Sequence, residues 1–238
     1  MIKFENISKK YKKSNTNALT SMNFSIKKNE VACLLGPNGA GKTTIIKCIS
    51  GLIIPDSGKI FINTKEVNFK NKNHLKSICT VLEGARNLYW RVSVRSNLYY
   101  FAALKGKSRK EVDNNIQKYK ELFNIDHLLD KQVSTLSLGQ KQIVSIMIPI
   151  ILEPKILILD EPSNGLDIDV KNRLAELINN IKQNMDITII IASHDVDFIR
   201  KIVDKIIIIN NGEVKNVIGN NGLTNSIIEE KYYDILNV

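Results

Sequence analysis

VACLLGPNGAGKTTIIKCIS, residues Val31–Ser50, decides the architecture of this chain. VACLL is a continuous apolar run of strand type, and TIIKCIS spaces its apolar side chains as a helix does. Between them, Gly36–Thr43 fits the pattern G-x-x-x-x-G-K-[ST] without a gap. Glycines there let backbone N–H groups turn inward around phosphate oxygens, and the N-terminus of the following helix adds favourable dipole charge. Lys42 is placed to reach the β- and γ-phosphates, and Thr43 to offer its hydroxyl to Mg²⁺. An ordinary glycine turn is the competing reading, but the strand before it and the helix after it select the phosphate loop.

Working outward, residues 1–63 alternate strand-like runs with turns: MIKFENI, MNFSI, EVACLL and, after PDSG, KIFIN. Residues 84–135 lack strong strand runs, and KSRKEVDNNIQKYKELF repeats its apolar residues at helical intervals. Residues 155–210 return to apolar runs, KILILD, ITIIIAS and KIIIIN, around the helical LDIDVKNRLAELINNIKQN. Such continuous runs suit strands buried on both faces of a mainly parallel sheet. The reading is an α/β core with a helical insertion, followed by a tail of turn, strand and short helix.

At 238 residues the chain is long enough to bury a full core as one domain with an inserted lobe. A hydrophobic fraction of 43% with 24% charged residues is ordinary for a soluble globular protein. No apolar run approaches the roughly 20 residues of a membrane span, and MIKFENISKKYKK lacks the apolar stretch of a signal peptide. A cytosolic protein is expected. Its three cysteines, Cys33, Cys48 and Cys79, have no metal-type spacing and are odd in number, which reads as reduced thiols. The net charge of +10 suits a nucleic-acid or membrane-surface partner, or simply a chain rich throughout in lysine, asparagine and isoleucine. No RNA-binding aromatic motif or helix-turn-helix pattern supports the former, so no nucleic-acid partner is expected.

KILILDEP delivers two carboxylates to the end of a buried strand, where ligands of α/β sheets collect. Asp160 is placed to bind Mg²⁺, commonly through its water shell, and Glu161 to accept a proton from an attacking water. A strand ending in Asp-Glu is often only a helix cap or a surface pair; the phosphate loop upstream favours function. ASHD, at the end of the next strand, suggests a hydrolase triad of Ser193, His194 and Asp195. Adjacent residues of an extended segment point to opposite faces, so the triad fails on geometry. His194 reads instead as a single sensor of the γ-phosphate. A further turn, TLSLGQKQ (Thr135–Gln142), precedes an apolar helical run and is itself suited to phosphate.

In order, GPNGAGKT, LSLGQ, ILILDEP, SNGLD and the histidine of ASH resemble the motif set of the ATP-binding cassette (ABC) ATPases, over residues 1–212. The resemblance implies a phosphate-loop NTPase fold of ABC type: a mainly parallel central sheet, an antiparallel β lobe and an inserted helical lobe. As one domain over 1–238, it divides into a nucleotide-binding core (about 1–83 and 155–212), a helical lobe (about 84–154) and a tail (213–238). ATP would lie on Gly36, Pro37, Asn38, Gly39, Ala40, Gly41, Lys42, Thr43 and Thr44, with Tyr11 stacked on adenine. Tyr11 has a competing reading as a core aromatic. Thr43, Asp160 and Glu83 would face Mg²⁺, while Glu161 and His194 would serve hydrolysis. The turn Ser137, Leu138, Gly139 and Gln140 would bind the ATP held by a second ABC subunit, with the chain pairing as a homodimer. Ser163, Asn164, Gly165, Leu166 and Asp167 would couple the two sites. A separate transmembrane permease is the implied partner, placing the chain on the inner face of the cell membrane.

Three residues depart from the family pattern. Leu138 stands where the signature's first glycine is usual, Pro149 is expected to interrupt and kink the helix behind it, and Glu83 occupies the segment of the family's glutamine. A carboxylate still binds Mg²⁺ but donates no hydrogen bond unless protonated. VLEGARNLYWRVSV (Val81–Val94) resembles a subset of bacterial exporter ATPases with separate membrane subunits, so export is expected. Within it, Asn87, Leu88, Tyr89, Trp90 and Arg91 have the composition of a docking hot spot, with a buried core turn as the alternative. A ribosome-acting protein of this family would carry two cassettes, a chromosome or repair ATPase a long coiled coil, and a regulatory nucleotide binder would lack the base Glu161.

Overall fold

The structure, a computed structural model, describes residues 1–12, 15–84, 87–124, 126–219, 228, 230–232 and 234. Strands β1 (Ile2–Lys10), β2 (Asn17–Ile26), β4 (Ser57–Ile62) and β5 (Lys65–Glu66) form an antiparallel sheet in the order β2-β1-β4-β5. The second sheet is β10-β9-β3-β8-β7-β6, built from β3 (Val31–Leu35), β6 (Ile78–Val81), β7 (Ile156–Asp160), β8 (Thr188–Ser193), β9 (Lys205–Asn210) and β10 (Glu213–Gly219). Five of its strands are parallel; β10, the strand expected in the tail, pairs antiparallel with β9 at one edge. The mainly parallel sheet matches the expected core, and the antiparallel sheet the expected β lobe.

Alternation along the parallel strands divides the interior into two cores. Val31, Cys33, Leu35, Leu157, Leu159, Ile189 and Ile191 face one core, and Ala32, Leu34, Ile156, Ile158, Ile190 and Ala192 face the other. The first is closed by helices α2 (Val94–Leu104), α3 (Arg109–Phe123), α4 (Leu138–Ile151), α5 (Ile168–Asn184) and α6 (Val196–Ile199). The second is closed by α1 (Lys42–Ile49) and the antiparallel sheet. This two-sided burial explains the unbroken isoleucine runs: neither face of these strands meets water. The three cysteines are free and buried.

Helices α2, α3 and α4 lie in sequence between β6 and β7. Pro149 falls in the last turn of α4 and does not interrupt it, contrary to expectation. The helix ends only two residues later, so few further turns depend on the backbone bond that the missing N–H removes. Neighbouring parallel strands β3, β8 and β7 end on the same side of the sheet, and the residues leaving those ends build the site.

Candidate active site

Between β3 and α1 the loop folds tightly enough to exclude side chains at two glycines. A Cβ on Gly36 would lie 2.2 Å from the Ile209 carbonyl oxygen. Gly41 has φ of 109°, a region that favours glycine, and its Cβ would meet the Ala18 oxygen at 2.8 Å. Lys42, only 5% exposed, folds back over the loop and donates to the carbonyls of Gly36 at 2.6 Å and Pro37 at 3.2 Å. Asn38 and Gly39 stay exposed, whereas Ala40 is buried. The Tyr11 hydroxyl lies 3.3 Å from Thr44 Oγ1 with its side chain substantially exposed, so the ring is not a core aromatic.

Facing this loop, β7 ends in Asp160, and Thr43 Oγ1 donates to Asp160 Oδ2 at 3.3 Å. Asp160 Oδ1 is buried and has no hydrogen-bond partner among the described residues. Burial, reinforced by the Glu161 charge, pushes the Asp160 carboxyl up to about 6. The exposed hydroxyl of Thr43 and the buried, orphaned carboxylate oxygen of Asp160 form a hard-oxygen donor set that suits Mg²⁺. Glu161 leaves the strand at φ 47°, held by its N–H donating to the Ala192 oxygen at 2.9 Å. Its carboxylate then spans two partners, Lys42 Nζ at 3.3 Å and His194 Nδ1 at 3.0 Å. Lys42, Thr43, Asp160, Glu161 and His194 thus form one contiguous group.

The neighbours of His194 take no part in a triad. Ser193 Oγ accepts from the Asp195 N–H at 3.0 Å, and Asp195 caps α6 through the Phe198 N–H. The other oxygen of Asp195 pairs with Lys171 at 2.6 Å and accepts from Ser163 Oγ at 3.4 Å. Lys171 lay outside every motif in the sequence; its only signal was its place one turn after Asp167, which caps α5 by accepting from the Val170 N–H.

Glu83 borders one cleft with Thr43 and another with Asp160 but hydrogen-bonds to neither. It lies exposed after β6, where its Oε1 accepts from Asn164 Nδ2 at 2.7 Å. Glu83, Asn164, Asp160, Glu161, Trp90 and Leu138 border a cleft of about 250 Å³. Ser137 caps α4 in a reciprocal box: its Oγ accepts from the Gln140 N–H at 3.2 Å, and Gln140 Oε1 accepts from the Ser137 N–H at 3.0 Å. Gly139 sits against α5, where a Cβ would lie 2.7 Å from Val170 Cγ1. Leu138 stays 57% exposed beside Gly165, and Leu166 is half-buried.

A phosphate loop opposite a buried Asp-Glu pair at a strand end defines a phosphate-loop nucleotide-binding protein. The pattern of the family described as ABC transporter matches residues 19–164. The chain is 34% identical over 221 residues to the energy-coupling factor transporter ATP-binding protein EcfA3 of Clostridium perfringens, covering 90% of this chain and 76% of that one. It is also 34% identical over 214 residues to the molybdate/tungstate import ATP-binding protein WtpC of Methanocaldococcus jannaschii, covering 90% and 69%. A solved structure of cbiO1 from Clostridium perfringens, described as part of the ABC transporter complex cbiONQ, superposes with a TM-score of 0.84. Identity there is 32%, over 99% of this chain and 94% of that one. The chain belongs to the ABC transporter family and is its ATP-binding, ATP-hydrolysing subunit. The expectation of export finds no support, since WtpC is named for import. Among the described residues, no helix is long and apolar enough to cross a membrane.

Proposed function

We propose that this chain is a Mg²⁺-dependent ATPase that sits on the cytoplasmic face of a membrane, pairs with a second copy of itself and docks on a separate permease. No direction of transport is proposed. The observation that carries the reading is the contiguous group of Lys42, Thr43, Asp160, Glu161 and His194. Lys42 exchanges its carbonyl and Glu161 partners for phosphate oxygens, cradled by the N–H groups of Gly36–Thr44, while Tyr11 stacks on adenine. Thr43 and Asp160, with Glu83 at the rim, would hold Mg²⁺, which would neutralise charge on the phosphates. Released from Lys42, Glu161 accepts the proton of the attacking water, and His194 fixes its second oxygen.

The core of 1–83 and 155–212 carries this site, and the helical lobe of 84–154 carries the turn Ser137–Gln140 that serves the opposite subunit's ATP. Ser163–Asp167 lines the interface between them. If each site takes Lys42 from one chain and Ser137 from the other, Lys42→Ala and Ser137→Arg homodimers are each defective at both sites. A mixture of the two variants contains dimers with one intact site. Mixing should therefore restore ATP-dependent closure, read by crosslinking across the interface. With self-pairing established independently, no recovery on mixing refutes the shared site.

A further inference from the structure

Strands β6 and β7 are parallel neighbours in register, Val81 opposite Leu159, so the segments leaving their ends emerge side by side. Among the described residues, their side chains meet through the 2.7 Å bond from Asn164 Nδ2 to Glu83 Oε1. The N–H of Asn164 donates to the Glu161 oxygen at 3.2 Å, and its neighbour Ser163 is buried against Asp195. The side chains of Asn164 and Glu83 are both exposed, and each residue precedes a glycine at positive φ, Gly84 at 95° and Gly165 at 72°; the carbonyls of Leu82 and Gly84 flanking Glu83 accept from Asn87 Nδ2 at 2.6 and 3.0 Å. Asn164 thus reaches Glu83 from a backbone tied to Glu161.

We propose that Asn164 is a positioning residue for Glu83, clasping its carboxylate at the rim of the cleft and releasing it toward Thr43 and Asp160 when Ser163–Asp167 shifts against a second subunit. Glu83, Asp160 and Glu161 border the same cleft, so without a cation their like charges favour Glu83 at the rim. A cation between them reverses that preference. A neutral amide suits a reversible clasp: a lysine would bind the carboxylate more strongly, and an aspartate would repel it.

The inference rests on Glu83 serving the metal, and two measurements on the full chain separate the possible failures. In the nucleotide-free, metal-free protein, the side-chain amide NMR signal lost in Asn164→Asp identifies Asn164. That signal should move in Glu83→Ala; if it does not, the clasp is refuted. The second measurement is the affinity for a fluorescent ATP analogue with and without Mg²⁺. Asn164→Asp, which sets two carboxylates against each other, should change the Mg²⁺-dependent part of that affinity by about 3- to 10-fold. Adding Glu83→Gln should restore it, because the new amide donates to the new carboxylate. An equal effect of Asn164→Asp with Glu83 or with glutamine there overturns the positioning role. If the amide signal moves but no Glu83 variant alters Mg²⁺ dependence, the clasp stands and the metal assignment behind the proposal falls.

Discussion

Replacing Glu161 with glutamine separates two jobs of one carboxylate: the pair with Lys42 seen in the structure and the proposed role as base. In the free subunit the carboxylate is the counter-ion of Lys42, at 3.3 Å, with the two side chains 8% and 5% exposed. Removing one partner of a buried pair costs about 3–5 kcal/mol when nothing replaces it. Glutamine keeps an oxygen acceptor, and Lys42 keeps its bonds to Gly36 and Pro37, so about 1–2 kcal/mol is expected. In a chain of 238 residues each kcal/mol moves the melting temperature by about 2–4 °C, which gives a fall of roughly 2–8 °C. ATP should abolish that deficit, because its phosphates take over Lys42. Turnover should fall by a factor of about 10² or more, at least ~2.7 kcal/mol of transition-state stabilisation, while ATP-bound dimer accumulates.

Thermal unfolding with and without ATP, beside single-turnover hydrolysis, reads both effects. Near-normal hydrolysis by Glu161→Gln would falsify the assignment of the base; an unchanged melting temperature in the free protein would remove the Lys42 pair. A companion comparison isolates the backbone. Glu161 sits at φ 47°, where a side chain costs about 1–2 kcal/mol relative to glycine. Glu161→Ala and Glu161→Gly both lose the carboxylate, but only glycine relieves the strain. The glycine variant should be the more stable by about 1 kcal/mol, and equal stabilities would contradict the strained turn.

Because the folded Asp160 carboxyl titrates near 6, against 3.8 for the free side chain, the folded state keeps a proton that the unfolded chain has released between those values. That contribution to stability is complete below about 3.8 and is lost as pH rises through about 6, so Asp160→Asn should stabilise the metal-free protein at pH 7.5 but not at pH 4. Melting curves that coincide at pH 7.5 would disprove it. Ser137→Asp should keep the α4 cap and the melting temperature yet prevent ATP-dependent closure, whereas Ser137→Ala should cost about 1 kcal/mol of stability as well; a Ser137→Asp dimer that closes normally would rule out the contact with phosphate. Tyr89 and Trp90 are 50% and 44% exposed, so a Tyr89→Ala, Trp90→Ala double variant should fold and hydrolyse ATP but no longer copurify with membranes. Retained membrane association would exclude docking through this turn.

What the sequence made legible was local. The phosphate loop reads directly because its glycines, lysine and threonine are contiguous, and β3, β7, β8 and β9 read because both their faces are buried. The strand β6 was hidden: Ile78–Val81 is four residues long and runs into a loop, so its apolar signal ends before a period is established. The two-residue β5 left no signal at all. In the site, Asp160 and Glu161 were visible from their place at a strand end, but their partners were not. The clasp of Glu83 joins residues 81 apart, and the Lys171 contact to Asp195 spans 24. No period or motif carries such pairings; the parallel register of β6 against β7 creates the first, and the packing of α5 beside α6 the second.

Ser137 shows how one residue type reconciles the free subunit with a shared site. Its Oγ accepts from the Gln140 N–H, which satisfies one of the donors that the first turn of α4 would otherwise leave unpaired. A hydroxyl that accepts in this way still has its own proton to donate. The cap therefore does not compete with an incoming phosphate oxygen but points the donor outward from the positive end of the helix. Aspartate or asparagine would cap α4 as well, but aspartate brings negative charge toward phosphate, and asparagine presents a larger planar group. Gly139 is constrained from the other side, because a Cβ there would strike Val170 and lift α4 away from α5. Within this chain the cap favours serine at 137 and the contact with α5 requires glycine at 139, and the proposed approach of a second chain's nucleotide adds a further demand on Ser137. Leu138 between them faces outward beside Gly165 and meets neither demand, so that position tolerates a departure from glycine.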